Sequence, residues 1–276
     1  MRGACAGERH TGDARCDNNS NTWSPSLLLP LRSPLTTDLG ITFVDWSPQP
    51  PDQSMGLWHP VDLRVLPGGP VSLRYPFATT VLRAVPAAAG DPTPADLSVG
   101  VELTNWGTAP ASGVLSGALF VEGGSGAPVA SFSQPFALAG GGATALVTFD
   151  AAAFPQLSLP HASLWWPWQM GPPTLHTLAF NVTLSGSSGG APSDSLAASV
   201  GLRQSTAALD ASGHLQYALN GFPILIRGAG WSPDEFLRDG SAAGVAATAT
   251  ALAYTRDMGL NTIRLEVRGV RPRCQL

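Results

Sequence analysis

Lysine is missing from this 276-residue chain; all 15 of its Lys-or-Arg positions are arginine. Charged residues of both signs make up only 12%, about half the usual share, and the net charge is −4. A nucleic-acid binder needs a clustered basic face, and the sequence has none. Low charge beside 44% apolar residues also excludes a wholly disordered chain. Cysteine is scarce. Cys5, Cys16 and Cys274 lie near the two ends, bracket no core, imply no disulfide framework and fit no zinc spacing. No apolar run reaches the roughly 18 residues of a membrane span. Residues 1–20 lack the apolar stretch of a secretory signal, which leaves the compartment open. The histidines (His10, His59, His161, His176 and His214) are scattered, and no metal or cofactor site is expected. No Gly-rich loop leads into Lys-Ser or Lys-Thr to cradle a phosphate.

Glycine (31) and proline (25) are what the chain has in plenty. That much punctuation excludes a helical bundle and favours a mainly β fold of short strands and turns. Residues 1–40 are polar, then Pro- and Leu-rich, with no period, and are expected to be a disordered leader. Residues 41–75 hold two short apolar runs around a Pro-rich loop, too little for a domain. Residues 76–203 read as one complete unit. Val99, Val101 and Leu103 alternate with polar or small residues, the period of a half-buried strand. Further strands are expected at Phe77–Ala84, Val114–Val121, Val129–Phe136, Ala143–Phe149, Leu175–Leu184 and Leu196–Arg203. About seven short strands at this spacing fit an antiparallel, immunoglobulin-like β-sandwich.

The texture changes after residue 203. His214–Leu219 and Pro223–Arg227 are strand-like around Asn220-Gly221, a pair that supplies the positive φ angles of a tight hairpin turn. Ala246–Met258 is helix-like, with Gly259 where a C-terminal cap belongs, and Asn261–Glu266 is strand-like. Strand, helix, strand in so short a stretch is a βαβ unit, the start of a parallel α/β fold.

Several motifs carry a resemblance. Leu164-Trp165-Trp166-Pro167, Pro173–Leu178 and Val200-Gly201-Leu202-Arg203 resemble the end of the immunoglobulin-like domain in glycoside hydrolase family 2. Asn220–Pro223 with Ile226–Asp234 is similar to that family's first barrel strand, and Asn261–Glu266 to its second. Asp45-Trp46-Ser47-Pro48 and Met55–Trp58 are similar to the tail of its N-terminal sugar-binding jelly roll. Within the family the wording is most like exo-β-D-glucosaminidases, then β-mannosidases and plant endo-β-mannosidases. Three positions depart from the pattern: His176 replaces the usual Tyr, Leu202 an aromatic, and Val267 a Gly.

The resemblance implies a jelly-roll remnant over 41–75, the sandwich over 76–203, and over 204–276 the first βαβ of a truncated (β/α)8 barrel. It implies a retaining glycosidase acting on terminal β-linked sugars, with chitosan-type amino sugars ahead of β-mannosides, and a carbohydrate as the partner. Such enzymes use two carboxyl groups about 5 Å apart. In the family both are glutamates on later barrel strands. A whole barrel takes about 250 residues and about 70 remain here, so the chain by itself is expected to be inactive.

The resemblance also implies substrate-binding residues. Asp234 would pair with the 2-ammonium group of an amino sugar; otherwise it caps the next turn. Arg264 would orient the nucleophilic carboxylate. Glu266, two residues on and so on the same strand face, would join it; otherwise the two form a structural ion pair. Trp231 would offer a stacking wall or simply pack in a core. Asp45 and Trp46 match a jelly-roll loop near the sugar, or brace that loop. The Trp165, Trp166 and Trp168 cluster is expected to be a structural anchor rather than a sugar platform. The alternative to an enzyme fragment is a non-catalytic carbohydrate- or protein-binding sandwich.

Overall fold

The computed structural model describes residues 61, 63–66, 68–123, 126–186, 191–231 and 242–265. The expected leader over 1–40, and the 41–75 segment up to residue 60, lie outside them. The described residues fall into two compact units. One takes 63–227 and 259–261; the other takes 61, 228–231, 242–258 and 262–265.

The larger unit opens with eight strands: β1 (Val71–Leu82), β2 (Thr93–Asn105), β3 (Ala111–Val121), β4 (Ala130–Leu138), β5 (Ala143–Asp150), β6 (Ser158–Ala162), β7 (His176–Leu184) and β8 (Asp194–Val200). They form two antiparallel sheets, β1-β2-β5 with β6 also on β2, and β4-β3-β7-β8. Alternation builds the core, as expected for sheets with one face covered. On β2, Ala95, Leu97, Val99, Val101 and Leu103 are no more than 1% exposed. Opposite them lie Leu115 and Leu119 of β3 and Leu178, Phe180 and Val182 of β7. Phe149 of β5 and Phe132 of β4 meet at the centre with ring centroids 4.6 Å apart, and Phe180 lies 5.9 Å from Phe132. Each such burial contributes about 1.5–3 kcal/mol. Gly117 makes room for them: a Cβ there would sit 2.3 Å from the Phe132 ring.

Strand β1 begins at Val71, ahead of the expected Phe77. Val71–Arg74 pair with Asn105–Glu102, and pairing resumes at Phe77↔Gly100. Tyr75 and Pro76 therefore oppose the single residue Val101, a β-bulge with Tyr75 at φ 52. Proline, with no N–H to pair, suits that position. The bulge breaks the apolar alternation, which is why the sequence pattern becomes visible only past it. Beyond it, Ala78, Thr80 and Leu82 face the core side, while the Phe77 ring lies over Gly100, where a Cβ would be 2.6 Å away. Strand β6 was not expected, because Pro160 interrupts its apolar pattern; it survives as a pairing at one end of β2.

A third sheet, of three strands, has the order β11-β10-β9, from β9 (Ser205–Leu209), β10 (Leu215–Leu219) and β11 (Phe222–Ile224). Asn220 at φ 50 and Gly221 at φ 84 close the β10–β11 hairpin, as their sequence predicts. In the other unit, β12 (Gly228–Trp231) pairs in parallel with β13 (Thr262–Leu265), and α1 (Ala242–Asp257) connects them. This is the expected βαβ, with the helix starting four residues earlier than its sequence signal.

Candidate functional site

The parallel register sets Gly228 against Thr262, Gly230 against Arg264 and Trp231 against Leu265. The two strands approach so closely that a Cβ on Gly228 would lie 1.9 Å from the Thr262 carbonyl oxygen. Trp231 is the last residue of β12 and Arg264 the penultimate residue of β13, an exposed position. In parallel α/β folds the carboxyl ends of strands are where sites are built. Asp234, Glu266, Asp45 and Trp46 lie outside the described residues, so of the six candidates only Trp231 and Arg264 have a described backbone.

The residues immediately ahead of both strands are tightly fixed. The Arg227 N–H donates to Asn261 Oδ1 at 2.9 Å, and the Asn261 N–H donates to the Arg227 carbonyl at 2.9 Å. Asn261 Nδ2 donates to the Leu225 carbonyl at 2.9 Å and to Gln169 Oε1 at 3.2 Å. Gln169 Nε2 donates to the Gly259 carbonyl at 2.8 Å, and Trp168 Nε1 to the Leu260 carbonyl at 3.1 Å. One asparagine thus ties the entry to β12 and the entry to β13 to a single loop. In the sequence Asn261 is only the first residue of a strand-like stretch. Its partners lie 34, 36 and 92 residues away, so no local pattern announces them.

The tryptophan cluster is built into the same unit. Trp166 is fully buried, with its ring edge-on to Phe222 at 5.5 Å. Trp165 takes the Arg203 guanidinium over its ring at 4.5 Å, and its N–H donates to the Leu202 carbonyl at 2.9 Å. Leu202 is itself fully buried, so an aliphatic side chain fills the position where the family pattern has an aromatic. His176 is 1% exposed and its Nδ1 has no partner; burial pulls its pKa below the ordinary 6.5. Trp166 Nε1 is the other unpaired buried side-chain group among the described residues. No group of three or more His, Cys, Asp or Glu among them is placed to hold a metal ion.

No family model matches the chain. Individual proteins do. The exo-β-D-glucosaminidase of Streptomyces avermitilis is 40% identical over 229 residues, 83% of this chain and 23% of that protein. The exo-β-D-glucosaminidase of Amycolatopsis orientalis is 34% identical over 83% of this chain and 19% of its own. The crystal structure of the Amycolatopsis orientalis exo-chitosanase superposes with a TM-score of 0.57 at 33% identity, over 74% of this chain and 21% of that one.

The chain is a family 2 glycoside hydrolase homologue. It spans about a quarter or less of the length of these glucosaminidase relatives. A β-glucuronidase from Bacteroides uniformis, 17% identical with a TM-score of 0.50 over 75% of this chain and 22% of that one, shares the fold alone. The family 2 homology accounts for the order of elements found here, a mainly β sandwich followed by a parallel βαβ.

Proposed function

We propose that these residues form part of a retaining glycosidase that removes terminal β-linked glucosamine from chitosan-type chains. The observation that carries the proposal is the 40% identity over 229 residues to an exo-β-D-glucosaminidase. In the proposed chemistry a carboxylate attacks the anomeric carbon while a carboxylic acid protonates the leaving oxygen, and water then releases the sugar from the covalent intermediate. Neither of those groups is assigned to a residue of this chain.

Its own candidates bind and orient. Asp234 is proposed to meet the 2-ammonium group, because a carboxylate is the natural partner of that cation and is superfluous for a 2-hydroxyl. Arg264 is proposed to hold the nucleophilic carboxylate in line through its rigid guanidinium fork. Trp231 supplies a stacking wall, Glu266 supports Arg264, and Asp45 and Trp46 approach the sugar from the preceding domain.

Titration of the chain with methyl β-D-glucosaminide and methyl β-D-mannoside tests this. Preferential binding of the glucosaminide, lost on Asp234→Asn, is expected. Equal or tighter binding of the mannoside would favour the mannosidase alternative. No binding of either glycoside would leave the sandwich as a non-catalytic module.

A further inference from the structure

We infer that the outer face of the β1-β2-β5 sheet is a docking platform for a β-linked glucosamine oligosaccharide, centred on Trp106 and Glu102. The inference rests on the substrate class proposed above, and adds a surface remote in sequence from every candidate of that site.

Trp106 is 54% exposed, yet it is held from three directions. Its Nε1 donates to Ser72 Oγ at 2.9 Å, its backbone N–H donates to the Pro70 carbonyl at 2.9 Å, and the Arg74 guanidinium lies 5.1 Å from its ring centroid. The preceding Asn105 is fully buried and fixes the turn. Its Nδ2 donates to the carbonyls of Ala109 and Ala139, both at 2.9 Å, and its Oδ1 accepts the Gly107 N–H at 3.0 Å. An exposed aromatic ring that is already ordered loses little freedom when a ligand stacks on it.

The register sets the surroundings. Arg74, Glu102 and Leu146 form one cross-strand row, and Ser72, Thr104 and Thr144 the next, towards Trp106. Leu146 is 63% exposed. Glu102 lies directly across from Arg74, yet the guanidinium goes to the Trp106 ring. Glu102 has neither an ion-pair nor a hydrogen-bond partner among the described residues. Beside Arg74, Tyr75 is kept at φ 52, a backbone conformation that side-chain-bearing residues seldom hold.

The chemistry selects the occupant. The centre of a protein–protein interface is depleted of charge, whereas this patch sets a carboxylate, a guanidinium and the exposed Thr144 hydroxyl beside one indole. A β-linked amino sugar offers the complement: a flat C–H face for the indole, an ammonium for Glu102 and hydroxyls for the exposed Thr144 side chain. The net charge of −4 draws in a cationic polymer.

The test is calorimetric titration of the whole chain with glucosamine hexamer and with neutral cellohexaose, for the parent, Trp106→Ala, Trp106→Phe and Glu102→Gln, each checked for fold by circular dichroism. The parent is expected to prefer the glucosamine hexamer. Trp106→Ala is expected to weaken it about tenfold, with Trp106→Phe retaining most of the affinity, and Glu102→Gln to erase the preference over cellohexaose. Folded Trp106→Ala with unchanged affinity overturns the inference. So does a preference that survives Glu102→Gln, or self-association in sedimentation that Trp106→Ala abolishes, which would make the face a contact between copies. Methyl β-D-glucosaminide binding lost in Asp234→Asn but intact in Trp106→Ala reports the proposed site separately, so either idea can fail alone.

Discussion

Asn220 donates from Nδ2 to the carbonyl of Trp165, 55 residues earlier in the chain, at 3.0 Å. Its Oδ1 accepts the Gln204 N–H at 2.9 Å. The side chain is fully buried, and the backbone sits at φ 50. One residue therefore serves as turn former and as bridge between the hairpin, the sandwich exit and the tryptophan loop. Asn220→Ala leaves both partners unpaired and forces alanine into a left-handed backbone, at a cost of about 3 kcal/mol. Asn220→Gly leaves the same two partners unpaired but without the backbone strain, and is expected to lose about 2 kcal/mol. Urea unfolding of the two variants beside the parent measures the difference.

Asp194 clips β8 to β1. Its carboxylate accepts the Leu73 N–H at 2.8 Å and the Ser195 N–H at 2.7 Å and meets the Arg64 guanidinium; the Asp194 side chain is 4% exposed and that of Arg64 53%. The stabilisation lies in the buried backbone donors rather than in the half-exposed cation. Asp194→Ala is expected to cost about 3 kcal/mol, and Arg64→Ala under about 1 kcal/mol. Equal losses in a denaturant titration would place the energy in the ion pair instead.

Gly117→Ala puts a methyl group where the Phe132 ring lies, 2.3 Å from the nearest ring carbon. Phe132 cannot move freely, because its ring also meets Phe149 and Phe180. A loss of about 1–3 kcal/mol is expected, partly relieved when Phe132→Leu is combined with it. A double-mutant cycle on the thermal midpoints reads the coupling.

His176 sets an acid-side limit on stability. Because burial lowers its pKa below 6.5, the unfolded chain takes up a proton before the folded one does. The contribution is therefore complete above pH 6.5 and is lost as the pH falls below that value. Asp210, whose pKa is lowered chiefly by the His214 backbone N–H, acts in a separate window, losing its contribution below the ordinary 3.8. His176→Phe removes the unpaired Nδ1 and is expected to flatten the slope of stability just below pH 6.5, leaving the Asp210 window unchanged. Chemical unfolding across that range, on parent and variant, is the check.

How much of this was legible depended on how far apart the interacting residues lie. The β2 alternation and the Asn220-Gly221 turn are local patterns, and the structure follows both. The β1 bulge and β6 were hidden, since Pro76 and Pro160 interrupt the period by which strands are recognised. At the candidate site, the βαβ order placed Trp231 and Arg264 on adjacent strands. The asparagine that aligns their starts was silent, because its partners lie in other segments. The Trp106 platform was equally silent: it is assembled across three strands whose order is not a local property.

The two-for-one step at Tyr75 and Pro76 works like a parity bit in the chain. Two residues occupy one pairing position, so every side chain from Phe77 to Leu82 keeps the face that one-for-one pairing with β2 would give it. Losing one codon there would leave a single residue opposite Val101, with Phe77 still across from Gly100 and Ala78, Thr80 and Leu82 still on the core side. The segment is therefore expected to accept a one-residue deletion with β1 keeping its apolar face, whereas an added residue with no further bulge would exchange the two faces.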